Sequence, residues 1–299
     1  MKLRFIMRTG ALAAAMLMVV GGWTLTAIAQ GPPAQAPVRA ILKIRGDVYR
    51  FQDTRHHTVF MVTPAGIILG DPISADAATW LKAELAKRFN VPVRYVIHSH
   101  SHWDHASGGR VFADTAELWG HANMAAEIKT SPEPERMKDV ATPQKTYTDR
   151  QTITLGGKTV ELIYAGANHA ADMTILYFPA ERVAHTVDYL TVRRVPRFLD
   201  GAPLPAWIAA MKKVEALNFD IFVPGHGNVG NKAVVTEQRE YFEALVAGVG
   251  EGIKTGRSVQ QLQASNLLER FSWWEDYYPG RDNNIATTYK LLGGAGATR

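Results

Sequence analysis

The sequence predicts an α/β protein in which two β-sheets are covered by outer helices. Two observations carry that expectation. Short apolar or alternating runs, interspersed with patterns at helical spacing, fall into two blocks, and each block runs from strands into helices. The chain has 299 residues, 46% hydrophobic and 20% charged, which is enough to bury a full core and too apolar for a disordered chain.

The elements follow in order. Ala40 to Phe51 and Thr58 to Val62 read as strands. Pro64-Ala65-Gly66 is a turn, and Ile67-Ile68-Leu69 a buried strand. Ser74-Ala75-Asp76 opens a helix through Phe89, with Trp80, Leu81, Leu85 and Phe89 on one side. Val93 to Ile97 is a buried strand that ends in a histidine cluster. Ser131 to Thr148, polar and proline-containing, reads as a loop or short helices at the surface. Gly156-Gly157 joins Thr152–Leu155 to Lys158–Tyr164 as a hairpin. Met173 to Phe178 and Arg182 to Val187 are two further strands. Pro205 to Leu217 is an amphipathic helix, and Ile221 to Val223 a short strand before Pro224-Gly225-His226-Gly227. Val234 to Ile253, Val259 to Arg270 and Ile285 to Leu292 read as helices.

The N-terminus reads as an address. Lys2, Arg4 and Arg8 precede an apolar run from Ala11 to Ala29, and Ala27-Ile28-Ala29 fits the small-x-small cleavage rule. Residues 1–29 are thus expected to be a signal peptide and residues 30–299 a single domain with C-terminal helices. An uncleaved anchor is the alternative, although Gly21 and Gly22 make the run marginal for spanning a bilayer. The implied location is periplasmic or secreted, with no stable membrane partner after cleavage. Removing three of the charges behind the formal +5 leaves about 5 − 3 = +2, which argues against a nucleic-acid partner. The absence of cysteine excludes disulfides, a thiolate nucleophile and any thiolate-ligated metal.

The chemistry lies in the ten histidines. His100-Ser101-His102-Trp103-Asp104-His105 places four metal-ligating side chains in six residues, directly after a buried strand. On an extended segment His100 and His102 point to the same side and can share one ion, leaving Asp104 and His105 for a second. Further donors stand at strand ends: His169, Asp188 and His226. Nitrogen and carboxylate ligands suit zinc among the first-row divalent metals.

This constellation resembles the metallo-β-lactamase fold superfamily, whose signature is His-x-His-x-Asp-His followed by a His, an Asp and a final His. The resemblance spans nearly the whole chain after the signal segment. It implies an αββα sandwich of two mixed β-sheets flanked by helices. It implies that His100, His102 and His169 hold one divalent metal, that Asp104, His105 and His226 hold a second, most simply both zinc, and that Asp188 bridges them. The implied activity is hydrolysis, with a metal-bridging hydroxide oriented by Asp104 attacking a carbonyl carbon of a small-molecule substrate in the β-lactamase manner. Lactone, ester or glyoxalase II-like thioester hydrolysis is the alternative, with a mononuclear-iron sulfur dioxygenase as the alternative from another class. A nuclease is disfavoured by the charge, and a flavodiiron reductase by His102 where that group carries Glu. Two departures stand out: Asn168 rather than Gly precedes His169, and Val187 rather than Gly precedes Asp188.

Other residues have two readings each. Tyr189 either donates to an oxyanion or packs. Arg193 and Arg194 either hold a substrate carboxylate or form a solvated pair. His98, His121 and His185 read as packing or supporting groups. His56 and His57 read as surface residues, with a hairpin beside the cleft as the alternative. Asp172 braces the His169 loop or is incidental. Phe271, Trp273, Trp274, Tyr277 and Tyr278 either pack the C-terminal helices or wall the cleft.

Overall fold

The computed structural model describes residues 36–294 apart from 198 and 200. The expected signal segment and its cleavage point at Ala29 lie outside the described residues. From Pro37 onward the chain forms one unit. Among the described residues no helix is long and apolar enough to cross a membrane.

The first sheet has seven strands in sequential order: β1 (Arg39–Arg45), β2 (Val48–Asp53), β3 (His56–Thr63), β4 (Gly66–Leu69), β5 (Val93–Ile97), β6 (Glu117–His121) and β7 (Lys145–Tyr147). Pairing is antiparallel from β1 to β4 and parallel from β4 to β7. The second sheet has the order β12-β11-β10-β9-β8, built from β8 (Arg150–Leu155), β9 (Lys158–Tyr164), β10 (Thr174–Phe178), β11 (Val183–Thr186) and β12 (Ile221–Pro224). Only its β11–β12 pair is parallel. The helices are α1 (Ala75–Phe89), α2 (Trp103–Ala106), α3 (Met124–Thr130), α4 (Pro134–Met137), α5 (Leu204–Glu215), α6 (Lys232–Lys254), α7 (Val259–Gln263) and α8 (Tyr277–Leu291).

Three apolar layers hold this together. Val48, Val59, Met61, Ile97, Leu162, Leu176 and Val223 fill the space between the sheets. Phe51, Phe60, Leu69, Leu81 and Leu85 pack α1 on the outside of the first sheet. Trp207, Met211, Tyr241, Phe242, Leu245 and Ile285 pack α5, α6 and α8 on the outside of the second. The result is the expected αββα sandwich. Every residue of β4, β10 and β11 is buried, as befits strands covered on both faces.

Local chemistry explains most boundaries. Ser74 caps α1 by accepting from the Ala77 N–H, and Asn90 ends it in the left-handed region. Gly156 and Gly157 both have positive φ, 55° and 79°, the requirement of a two-residue hairpin turn. The run from Ala40 to Phe51 is not one strand but two, because the chain reverses at Gly46-Asp47. The segment 131–148 contains a strand as well as a short helix: β7 adds its polar residues to the edge of the first sheet. The helix expected through Arg270 stops at Gln263, after a Ser258/Gln261 capping box and before left-handed Leu268. The last helix begins eight residues earlier than expected, at Tyr277. Pro279 falls in its first turn, where no intrahelical N–H is missed.

Candidate metal centre

The site sits where both sheets end. His100 and His102 lie on the loop leaving β5, and Asp104 and His105 on the one-turn α2 that follows. His169 comes from the loop between β9 and β10, Asp188 from the exit of β11, and His226 from the exit of β12. Gly225 is what lets the last loop close in. A Cβ there would lie 2.5 Å from Val187 Cγ1 and 3.3 Å from His105 Cε1.

The side chains converge as two groups: His100, His102, His169 and Asp188, and His56, Asp104, His105 and His226. In the first, His169 Nε2 is 3.0 Å from His102 Nδ1. In the second, His105 Nε2 is 3.2 Å from His226 Nε2, and His56 Nε2 is 3.3 Å from Asp104 Oδ2. Asp188 joins the groups. Its Oδ2 lies 3.3 Å from His100 Nε2 and 3.5 Å from His169 Nε2. Its Oδ1 lies 3.2 Å from His105 Nε2 and 3.0 Å from His226 Nε2.

These spacings fit metal ions. Ligands bound tetrahedrally at about 2.0–2.1 Å stand about 3.3 Å from one another along the edges. The ring nitrogens of His105 and His226 face each other at 3.2 Å, and buried His100 Nε2 faces the Asp188 carboxylate at 3.3 Å, separations that two ligands of one ion would keep. Burial, with His102 nearby, pushes the His100 imidazole down to about 3, so it stays in the neutral form that ligates. Burial also lowers His105, but the carboxylates of Asp188, Asp104 and Asp71 outweigh it and bring the ring up to about 9. Burial would raise Asp188, yet the charge of His105 and the bonds from His100, His105 and His169 hold it well below the usual carboxylate range. A bound cation would take over the role of that extra proton.

The loops are braced. Asp71 is fully buried, accepts from the Ser99 N–H and hydroxyl at 2.7 and 2.6 Å, and faces His105 Nδ1 at 3.9 Å. Asn168 bonds the Gly166 carbonyl and accepts from the His169 N–H. Asp188 itself has φ 64°, the left-handed region that Asp tolerates better than most residues.

The family model described as the metallo-beta-lactamase superfamily matches residues 69–226, which include both groups apart from His56. The chain belongs to the metallo-β-lactamase superfamily. It is similar to the 2,4-dinitroanisole O-demethylase subunit alpha of Nocardioides sp. (strain JS1661), 30% identical over 227 residues, covering 73% of this chain and 67% of that one. It is also similar to the metallo-beta-lactamase type 2 of Bacteroides fragilis, 23% identical over 178 residues, 58% of this chain and 69% of that one. Among solved structures, a metallo-beta-lactamase from Pontibacter korlensis superposes with a TM-score of 0.60 at 18% identity, over 69% of this chain and 99% of that one. The sec-alkylsulfatase Pisa1 from Pseudomonas sp. superposes with a TM-score of 0.70 at 15% identity, over 88% of this chain. The chain spans about half (51%) of that sulfatase.

The metallo-β-lactamase fold corrects several sequence readings. Tyr189 does not reach the cleft. The left-handed turn at Asp188 sends the next side chain into the core beside α5 and α6, where it is wholly buried. Arg193 is also turned away: both its Nε and Nη2 hold Glu237, at 2.8 and 3.0 Å, and its guanidinium stacks on Trp273. Arg194 does line the cleft, bound to Asp276 at 2.7 Å. His56 and His57 are not surface residues. The β2–β3 hairpin folds over the site, its Arg55 carbonyl 2.9 Å from His226 Nδ1 and its His57 N–H bonded to the Gly225 carbonyl. The only signal for this was their position on a hairpin.

The remaining residues pack. His98 is buried, and His185 Nδ1 meets the Val223 carbonyl at 2.8 Å. His121 stacks on Tyr164 at 3.9 Å. Asp172 is buried three residues beyond His169, where burial and Glu127 raise its carboxyl to about 7 against bonds from Ser101. Phe271, Trp274 and Tyr277 belong to the outer core, while Trp273 and Tyr278 are exposed, and none of the five lines the cleft.

Proposed function

We propose that this chain is an exported metal-dependent hydrolase that holds two divalent ions, zinc in the first instance, and cleaves a carbonyl compound by adding water. His100, His102 and His169 would hold one ion and Asp104, His105 and His226 the other. One observation carries the reading: the two oxygens of Asp188 each face a different histidine group, at 3.0–3.5 Å. When bound, such ions bring the pKa of water down toward 7 and polarise a substrate oxygen.

The chain's own residues do the rest. Asp104 orients the attacking water through its ionised carboxylate. Burial would raise this carboxyl, but the bond from His56 and the charge of His105 keep it well below the usual carboxylate range. His56 thus acts as a positioning residue for Asp104. The cleft above them holds about 680 Å³, room for a small molecule. It breaks R–CO–X with water into an acid and HX, where X is nitrogen, oxygen or sulfur. Export is supported by the basic and apolar N-terminal pattern of residues 2–29, and N-terminal sequencing of periplasmic protein tests it.

A second reading is favoured by the 30% identity to a protein named for O-demethylation of 2,4-dinitroanisole. Hydroxide addition to such an electron-poor ring carbon expels methoxide, giving 2,4-dinitrophenol and methanol.

The test uses residues 30–299 loaded with zinc, assayed on a chromogenic cephalosporin, a lactone, a thioester and 2,4-dinitroanisole, with and without a chelator. Chelator-sensitive turnover with kcat/KM of about 10⁴ M⁻¹s⁻¹ or more on one carbonyl substrate supports the first reading. Turnover of the ether alone selects the second. Inactivity on all four by protein carrying two metals per chain overturns both.

A further inference from the structure

Four arginines line the cleft: Arg50, Arg55, Arg194 and Arg197. They are not equivalent. Arg194 and Arg197 share the Asp276 carboxylate, at 2.7 and 3.1 Å, so their charge is spent on the C-terminal segment. Arg55 lies on the exposed hairpin tip. Arg50 is different. It stands mid-strand on β2, opposite Val59, on the face of the sheet that Val48 presents to the inter-sheet core. Its Nε is buried without a hydrogen-bond partner. Its Nη2 donates a long hydrogen bond, 3.4 Å, to Gln52 Oε1. Among the described residues no carboxylate offsets it, and burial alone acts on its charge, weakening its hold on the proton.

A guanidinium in that position is costly. Arg50 is half-buried, and even partial burial of a charge without a partner costs stability; other arginines of this chain are paired, as Arg39 is with Asp53 and Arg45 with Asp220. Gln52 lies two residues along on the same face and pairs in register with His57, whose N–H holds the Gly225 carbonyl beside His226. Arg50 and Gln52 therefore form a polar stripe running from the inter-sheet core to the metal centre.

We propose that Arg50, with Gln52, is the anion anchor of this enzyme, and that its substrate carries a carboxylate held there while the scissile group lies over the histidines. This deepens, and rests on, the hydrolase reading of the cleft. It also relocates the carboxylate site from Arg193, which Glu237 occupies, to the opposite wall. The planar fork of Arg matches a carboxylate through two N–H donors, and Arg50 lines the cleft.

The test compares zinc-loaded wild type with Arg50→Met and Arg50→Lys. Benzoate and its neutral isostere benzamide are titrated calorimetrically, metal content is measured, and melting is recorded. Hydrolysis of a cephalosporin and of its methyl ester is followed in parallel. A charge-assisted pair predicts a loss of benzoate affinity of roughly tenfold to a hundredfold in Arg50→Met, with benzamide unchanged, two metals retained and partial recovery in Arg50→Lys. Melting should be unchanged or slightly higher, because a half-buried, unpaired charge has been removed. Equal benzoate affinity in wild type and Arg50→Met overturns the anchor, as does equal weakening of both probes or no benzoate binding by wild type. Arg50-dependent benzoate binding without hydrolysis of any substrate would sink the hydrolase reading and leave the anchor. Turnover that ignores Arg50 would do the reverse.

Discussion

Gly225→Ala is the sharpest probe of how the metal centre is built. Gly225 does not have a positive φ, so the substitution adds a methyl group without backbone strain. That methyl would stand 2.5 Å from Val187 Cγ1 and 3.1 Å from Val187 Cβ, where carbon contacts ordinarily settle at about 3.5–4.0 Å. Rotating Val187 cannot relieve a clash with its own Cβ, and a β-branched side chain has few rotamers to offer. The backbones must separate by up to about 1 Å. Val187 adjoins Asp188 and Gly225 adjoins His226, so the shift falls on two of the converging side chains. Overpacking of this kind costs about 1–3 kcal/mol. For a domain of this size that is a fall in melting temperature of roughly 2–10 °C. Metal sites tolerate distance errors of only about 0.2 Å, so the larger effect is on binding. Metal analysis after desalting should fall from two ions per chain toward one, with the His105/His226 group emptied. Gly227→Ala is the control: Gly227 has φ 89° but nothing within 4 Å of a new Cβ, so it costs strain without a clash. A Gly225→Ala protein that keeps both metals and full activity would refute the close-approach argument.

The other predictions are these. His56→Ala should weaken metal binding at the Asp104 group by about tenfold to a hundredfold, read by competition with a chelator, while the His100 group is unaffected; equal affinity would remove His56 from the centre. Stripping the metals should lower the melting temperature by roughly 10 °C or more, since ligands at a thousandfold their Kd each add about 4 kcal/mol; an unchanged melt would count against two tight sites. Burial holds His98 at about 4, burial outweighs the bond to Val223 and holds His185 at about 4, and burial with Arg50 and His226 nearby holds His57 at about 4. Between about pH 6.5 and 4 the unfolded chain therefore binds more protons than the folded one, and stability is lost as pH falls through that window. Urea titrations at several pH values should show this slope, and His98→Leu should flatten it. Arg193→Ala should leave KM unchanged within about twofold, because its guanidinium already holds Glu237; a large rise would restore it as a substrate ligand.

The sequence alone determined a two-sheet α/β class covered by outer helices, the place of the histidine cluster at the end of a buried strand, and the strand-end donors His169, Asp188 and His226; the αββα sandwich came from the resemblance those residues carry. Those features are local. Apolar periodicity marks strands and helices, and ligand spacing on one short segment is readable without its neighbours. Boundaries at 263 and 277 were less legible, because helix signals there compete with Ser265, left-handed Leu268 and Pro279. What only the tertiary structure decided is which side chains face the cleft from a distance. His56 joins the centre because the β2–β3 register and one backbone bond to Gly225 fold a hairpin across it. Tyr189 leaves because a single positive φ at Asp188 reverses the direction of the next side chain. Arg193 leaves because its ion-pair partner Glu237 lies 44 residues away on α6, and Arg50 lines the cleft because the β2–β3 register turns its face of the strand inward. Periodicity encodes which face of an element is buried; it does not encode what that face will meet.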